Sequence, residues 1–148
     1  MSNTKSNALA RSPLHLLHRV AQCAGDIFYA ELGESELTPR QLAVLMTVAE
    51  NEGLSQTGIV ERTDIDRSTL AQIVERLQKK GWLQCRRSKE DARAYVIRLT
   101  EEGHALLRRA APLGRKVDQR ILEALPGRGG DQFIERLQAI VRRLQPAE

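Results

Sequence analysis

The apolar residues of this chain recur at helical spacing over most of its length, and the clearest repeat lies near the middle. Its members fall at i, i+3, i+4 and i+7, and they are Leu70, Ile73, Val74 and Leu77. Asp66 is a suitable N-cap for the helix that they predict, and Gly81 is a suitable C-terminal stop. A shorter helix over about residues 55–62, capped by Ser55, precedes it. Two helices joined by a tight turn predict a helix-turn-helix.

The second helix of this motif has a polar outer face opposite its apolar stripe. At about 100° per residue, that face carries Ser68, Gln72, Glu75, Arg76 and Lys79. Several of these side chains are long enough to reach the edges of DNA bases. Glu75 suits a phosphate-rich groove poorly, so it either accepts from a cytosine or pairs with Lys79 at i+4.

Helical spacing stops after Gly81, where two stretches rich in β-forming residues flank a polar segment. Residues 82–85 predict one strand and residues 94–99 predict a second, while residues 86–93 between them are polar and mostly basic. A hairpin with a charged tip directly after a helix-turn-helix is a wing. An isolated hairpin is marginally stable, so we expect this one to pack on the helices through Trp82, Leu83, Val96 and Leu99.

Longer helices are predicted on both sides of this central region. Ser12 caps a first helix that Gly33 is expected to end, and Thr38 opens a second helix with a capping box. After the wing, Thr100 caps a long helix that Pro112 is expected to kink or split. Asp131 is the expected cap of the last helix. The broad apolar faces of the terminal helices favour a homodimer over a monomeric bundle.

These elements together predict a mainly α fold with a small β-wing, organised as a winged helix-turn-helix with a helical dimerisation region. We expect residues 1–11 to be a flexible arm and residues 53–99 to be the DNA-binding region. Residues 12–52 and 100–148 are expected to form the dimerisation region, and the two regions are expected to make one intertwined domain.

Charge and composition narrow the function. The chain has 148 residues with a formal net charge of +4, yet residues 76–98 alone hold eight basic and two acidic residues, a net charge of +6. A basic patch beside a helix-turn-helix indicates binding to a phosphate backbone. A signal-peptide core and a membrane-length apolar run are both absent, which predicts a cytoplasmic protein without a membrane partner. A nucleophile–base spacing, a phosphate-binding glycine loop and a metal cluster are also missing, so we expect neither an enzyme nor a cofactor.

The run of residues 54–103 resembles the winged helix-turn-helix of the MarR (multiple antibiotic resistance regulator) family. The resemblance is carried by DRST at the start of the second helix, LQKKG at its end, Asp91-x-Arg93 in the wing and LTEEG before the next helix. The order of the flanking helices also fits. The resemblance implies a homodimer with interleaved terminal helices, a palindromic operator, usually repression, and release by a small ligand. It also implies that Arg93 enters the minor groove and that Asp91 braces it.

The candidate DNA contacts fall into three groups. The second helix supplies three base-reading side chains, Ser68, Gln72 and Arg76. The two residues flanking that face, Arg67 and Thr69, are expected to contact phosphates. The helix before it supplies phosphate contacts from Gln56 and Thr57. The wing supplies Arg86, Arg87, Lys89, Asp91 and Arg93. Because narrow A·T tracts attract arginine, the wing is expected to contact the minor groove.

A small effector is expected where the DNA-binding and helical regions meet. Its candidate contacts are His15, His18, Arg19, Phe28 and Arg40, with Leu17 and Ala21 as apolar lining. Members of the resembled family often respond to aromatic acids, and some to their CoA thioesters, so an aromatic carboxylate or its thioester is the expected ligand. His15 and His18 are spaced to share a metal ion, but a third ligand at suitable spacing is not evident, and polar packing explains the pair.

Two other functions remain open. Cys23 and Cys85 could make the protein a redox-responsive repressor, although free cysteines are more often inert. The chain could also be a protein-interaction module with a degenerate DNA site. Salt-dependent operator binding separates the module from both repressors, and replacing the two cysteines separates the repressors from each other.

Overall fold

The computed structural model describes residues 8–145 and confirms the mainly α fold with a small β-wing. Its elements, in chain order, are α1 (Pro13–Leu32), α2 (Pro39–Glu50), α3 (Gln56–Thr63), α4 (Arg67–Lys79), β1 (Leu83–Arg87), β2 (Tyr95–Leu99), α5 (Glu101–Glu123) and α6 (Gly130–Leu144). Short 3-10 helices, Ala8–Arg11 and Gly33–Ser35, flank α1. The last four residues of the expected arm are thus helical, and residues 1–7 lie outside the described part.

The core forms where the helix-turn-helix packs on α2, the wing and α5. All four members of the predicted stripe on α4 are buried, with Leu70 and Leu77 at 0% exposure. Ile59 of α3 and Leu45 of α2 are equally inaccessible. From α5 the core takes Leu106, Ala110 and Val117. The interior is therefore mainly aliphatic, and it packs closely against the buried face of α4.

Local capping sets where most helices begin. The side chains of Ser12, Thr38, Ser55, Asp66 and Thr100 each accept a hydrogen bond from the backbone three residues on, as predicted. At α2 the capping box is complete, since the Gln41 side chain accepts from the Thr38 backbone at 3.1 Å. Asp131 was expected to cap α6, and this prediction is wrong, because α6 begins at Gly130 without a side-chain cap.

Gly33 directly follows the last residue of α1, as predicted, but its φ stays helical and Glu36 takes the positive φ. Two other predictions need correction. The helix α5 is not split, because it continues through Pro112. The strand β1 extends past the predicted residues 82–85, so Arg86 and Arg87 belong to the strand and not to the loop.

The wing is an antiparallel pair that places Leu83 opposite Leu99 and Arg87 opposite Tyr95. Leu83 and Leu99 are buried, as expected for a hairpin that packs on helices. The sequence did not predict a further contact, in which the Ile97 N–H donates to the Leu54 carbonyl at 2.8 Å. This bridge joins the wing to Leu54, two residues before the start of α3.

The two ends of the described chain carry exposed apolar side chains. In the first half of α1, Leu14 is 69% exposed, and at the end of α6 Leu144 is 77% exposed. The second half of α1 is different, since Phe28 and Leu32 are buried against the rest of the fold. Across residues 8–145, the helices lack the combination of length and apolar character needed to cross a bilayer.

Candidate nucleic-acid interface

The turn of the helix-turn-helix is held by side chains that were predicted to contact DNA. The Arg67 guanidinium donates to the Thr57 hydroxyl at 3.2 Å, which joins the first turn of α4 to the first turn of α3. The Asp66 carboxylate accepts from the Thr69 N–H and from the Ser68 hydroxyl, both at 2.9 Å. Hydrogen bonds from Thr69, followed by that from Ser68, lower the pKa of Asp66 to about 2.

The outer face of α4 is open to solvent. Ser68, Gln72 and Arg76 are exposed one turn apart along it, and Thr69 beside them is half-buried. Gln56 and Thr57 are exposed at the start of α3. The ion pair between Glu75 and Lys79, at 3.2 Å, realises one of the two interpretations of Glu75. An α-helix with its side chains is about 10–12 Å across, so this exposed polar face matches the width of the major groove of B-DNA.

Hydrogen bonds at the tip of the wing fix its loop. The Ser88 hydroxyl accepts from the backbone N–H groups of Glu90 and Asp91. The Asp91 carboxylate accepts from the Arg93 backbone N–H at 3.0 Å. Within residues 8–145, the Asp91 carboxylate does not form an ion pair with the Arg93 guanidinium. Asp91 therefore braces the backbone of Arg93 and leaves its exposed guanidinium available to a ligand.

The basic side chains on the wing strands are positioned by neighbours. The Arg87 guanidinium lies 5.9 Å from the centre of the Tyr95 ring, directly across the hairpin. Arg86 donates to the Gln84 side chain at 3.1 Å. Lys89, in the loop, is exposed. These cations face solvent on the hairpin that directly follows α4 in the chain.

Sequence reasoning missed a contact that anchors the C-terminal end of α4. The Lys80 ammonium donates to the Glu36 carbonyl at 3.2 Å and lies 3.5 Å from the Glu36 carboxylate. It also lies 4.9 Å from the centre of the Trp82 ring. Glu36 precedes Lys80 by 44 residues, and spacing in the sequence gives no signal for such a pair.

An apolar cleft of about 430 Å³ lies between α1, α2 and α5. We call it the effector cleft, after the ligand expected from the sequence, and its lining is Ala21, Ala24, Gly25, Phe28, Pro39, Leu42, Ala43, Met46, Gly114, Arg115, Val117, Asp118 and Ile121. Arg115 and Asp118 are its charged members, and sequence reasoning missed both. Asp118 lies about 100° around the helix from Val117, but Arg115 lies about 160° from it, so helical spacing along the apolar line of α5 gave no common signal for the two.

The structure brings together only some of the predicted effector contacts. Phe28 and the apolar Ala21 line the effector cleft, but His15, His18 and Arg19 do not. Those three lie in the first half of α1, where the Arg19 guanidinium donates to Gln22 at 2.6 Å. Arg40 also lies outside this cleft and borders α4 instead.

The structure bears differently on metal binding and on redox chemistry. Groups of three His, Cys, Asp or Glu side chains able to hold a metal ion are not found among the described residues. Cys23 on α1 and Cys85 on β1 are both free and exposed.

Comparison with known proteins agrees with this geometry. A model of the MarR family matches residues 35–94. PcaV, a transcriptional regulator of Streptomyces coelicolor solved with its natural ligand, is 30% identical to this chain. The match covers 96% of this chain and 98% of PcaV, with a TM-score of 0.78.

Two further solved structures are similar to this chain. BpsR of Bordetella bronchiseptica, whose DNA binding is regulated by 6-hydroxynicotinic acid, is 27% identical over 93% of this chain and 95% of its own, with a TM-score of 0.78. CouR of Rhodococcus jostii RHA1, bound to p-coumaroyl-CoA, is 26% identical over 97% of this chain and 99% of its own, with a TM-score of 0.79.

CouR has also been solved as a transcriptional repressor bound to a 23-mer DNA duplex. That structure is 27% identical to this chain, covers 95% of this chain and 99% of its own, and has a TM-score of 0.79. The sequence motifs, the winged helix-turn-helix and these similarities agree, and the chain belongs to the MarR family of DNA-binding transcriptional regulators.

Proposed function

We propose that this protein is a homodimeric repressor that binds a palindromic operator and is released by a small aromatic effector. The observation that carries the proposal is the exposed polar face of α4 beside the basic wing, with an apolar cleft behind it. A dimer of such modules reads two half-sites about 34–36 Å apart, one turn of the duplex. The operator is therefore expected to be an inverted repeat.

The DNA contacts divide between base reading and phosphate binding. Ser68, Gln72 and Arg76 read base edges in the major groove, because they are exposed on the outer face of α4. The phosphate contacts come from both sides of that face, and they are Gln56, Thr57, Arg67, Thr69, Arg86, Arg87 and Lys89. Arg93 enters the minor groove from a loop that Asp91 holds in place.

Dimerisation uses the exposed apolar ends of the described chain. On α6, Ile140 is 44% exposed and Val141 is 50% exposed, and on α1 Leu16 is 45% exposed. Monomeric proteins rarely expose contiguous apolar surface of this kind. Packing these faces against a second copy covers them and fixes the spacing of the two recognition helices.

The effector cleft suits a flat acid. Its floor is apolar, and its volume of about 430 Å³ is within the range that small ligands occupy. The Arg115 guanidinium at the cleft can pair with a carboxylate, and Asp118, one turn further along the same helix, can accept from a hydroxyl. An aromatic acid fits within this volume, whereas a thioester places its acyl end there and its CoA portion outside. The ligands of BpsR and CouR belong to these two chemical classes.

Release follows if the effector prefers the arrangement that cannot bind DNA. The cleft involves α5, which continues from the wing, so a ligand there changes the angle between the DNA-binding module and the dimerisation helices. A tenfold loss of operator affinity requires a preference of about 1.4 kcal/mol for that arrangement. A ligand that binds both arrangements equally releases nothing.

The test begins with a duplex selected from a random pool by the wild-type protein. Benzoates, cinnamates and their CoA thioesters are titrated into the preformed complex, and sedimentation gives the oligomeric state. A ligand at 100 times its Kd raises stability by about 2.7 kcal/mol, so thermal shift identifies binders independently of DNA. The proposal fails if the protein selects no sequence, or if every compound that binds it leaves operator affinity unchanged.

The Arg115→Ala variant tests the assigned cleft. Loss of the carboxylate partner should raise the effector concentration needed for half-release at least tenfold, which corresponds to about 1.4 kcal/mol. The matched control is Arg109→Ala, an exposed arginine on the same helix but outside the effector cleft, and its response should equal that of wild type. Equal responses of the two variants would place the effector elsewhere.

The redox alternative is separated in the same assay. Both thiols are accessible, so a peroxide or diamide can reach them. A redox-responsive repressor would lose its operator on oxidation, and the Cys23→Ser/Cys85→Ser double variant would keep it. A ligand-responsive repressor retains its effector response in that variant.

A further inference from the structure

Arg40 lies on α2, outside the helix-turn-helix and the wing, yet it borders the recognition helix. It shares a hollow of about 440 Å³ with residues of α4. We call this the α2–α4 hollow, and its lining is Thr38, Pro39, Arg40, Gln41, Thr69, Gln72, Ile73 and Arg76. Gln72 and Arg76 are the side chains assigned to base reading, so Arg40 lies directly beside the groove-facing surface.

The α2–α4 hollow is positively charged. Its lining contains two guanidinium groups, those of Arg40 and Arg76, and it contains no carboxylate. On its other side Arg40 borders Asp64 and Asp66. Within residues 8–145, neither of these carboxylates forms an ion pair with Arg40. The Asp66 carboxylate accepts the hydrogen bonds at the start of α4 instead. The exposed Arg40 guanidinium is thus positioned to meet an anion from solvent.

The end of helix α2 does not supply such an anion site by itself. Pro39, the first residue of the helix, has no N–H group. The Gln41 N–H is already bonded to the Thr38 hydroxyl at 3.1 Å. These two features leave the N–H of Arg40 itself as the backbone donor of the first turn, so anion binding at this place depends chiefly on the Arg40 side chain.

We propose that Arg40 is an additional DNA contact, which binds a backbone phosphate at the edge of the groove that α4 reads. This inference rests on the proposed function, because it takes α4 as the base-reading helix. A helix about 10–12 Å across fills a groove about 12 Å wide, so the flanking strands run beside it. Arg40 meets one of them, and because the contact is to a phosphate it adds affinity without sequence preference.

Arg40→Ala, Arg40→Lys and Arg128→Ala are compared with wild type. Affinities are measured for the selected duplex and for a non-specific duplex of equal length, between about 50 and 200 mM KCl. Arg128 is an exposed arginine in the turn between α5 and α6, so it controls for loss of a positive charge alone. Unfolding transitions of all four proteins are recorded without DNA.

Arg40→Ala should weaken both duplexes by a similar factor and flatten the slope of log K against log salt by about 0.9 per protomer, or about 1.8 per dimer. Arg40→Lys should retain most of the slope, because it keeps the charge, and Arg128→Ala should match wild type. The inference is overturned by an unchanged slope, by a loss confined to the selected sequence, or by unchanged DNA binding with an altered response to aromatic acids. If wild type itself selects no DNA, the proposed function fails as well.

Discussion

Gly103, in the first turn of α5, packs against the backbone carbonyl of Trp82 so closely that a Cβ could not be accommodated between them. Thr100 reinforces this contact, because its hydroxyl donates to the Gly81 carbonyl at 2.5 Å and its N–H donates to the Trp82 carbonyl at 3.1 Å. Gly81 and Trp82 connect the recognition helix to β1. The start of α5 is thereby fastened to the end of α4, and the second half of α5 lines the effector cleft.

Gly103→Ala tests how tight this fastening is. The added methyl group meets backbone and not a flexible side chain, so we expect the free energy of unfolding to fall by about 1–3 kcal/mol. Gly25→Ala is the matched control, because nothing lies within 4 Å of a Cβ at that helical position. It should raise stability by about 0.5–1 kcal/mol. Urea unfolding at one protein concentration gives both values, and equal effects would contradict the close contact.

Arg93→Ala tests the wing. The side chain is exposed, so its removal should weaken operator binding at physiological salt while the thermal unfolding transition stays at its wild-type position. Glu90→Ala in the same loop removes a negative charge and should not weaken binding. Fluorescence anisotropy with the selected duplex makes the measurement. Wild-type affinity in Arg93→Ala would show that the wing arginine does not contact DNA.

Gln72→Ala and Lys89→Ala separate base reading from phosphate binding. Loss of Gln72 should relax the preference at one or two positions of each half-site by about 1–3 kcal/mol. Loss of Lys89 should weaken all sequences alike and flatten the salt slope by about 1 per protomer. Affinity profiles over an operator library distinguish the two effects. Indistinguishable profiles would refute this division of roles.

Asp66→Asn tests the cap of the recognition helix through its pH dependence. The pKa of Asp66 is lowered from 3.8 to about 2 by its hydrogen bonds, so the ionised carboxylate is stabilised more in the folded state than in the unfolded state. The contribution of the charge is complete above pH 3.8 and is lost as the pH falls toward about 2. Urea unfolding should therefore show wild type and Asp66→Asn converging over that window. Asp64→Asn, which removes the neighbouring carboxylate, is measured in parallel, and a constant difference for Asp66→Asn would contradict the assignment.

Short-range interactions explain why much of the fold was predictable. The apolar stripe of α4 is visible at i, i+3, i+4 and i+7, and every member is buried. The capping box at Thr38 and Gln41 depends on residues three apart. Where the local signal was ambiguous, prediction failed, as at Asp131, which lies inside the first turn of α6.

The helices, the wing and the concentration of basic residues could all be predicted from the sequence, because each depends on periodicity, caps or charge within one stretch of chain. Contacts between side chains far apart in the sequence are visible in the folded structure alone. In the folded protein, Arg115 and Phe28 line the same cleft, and Lys80 pairs with Glu36. Arg40, which was expected to contact the effector, lies beside α4 instead. These contacts depend on how helices far apart in sequence pack together, and the spacing within any one helix carries no record of its neighbours.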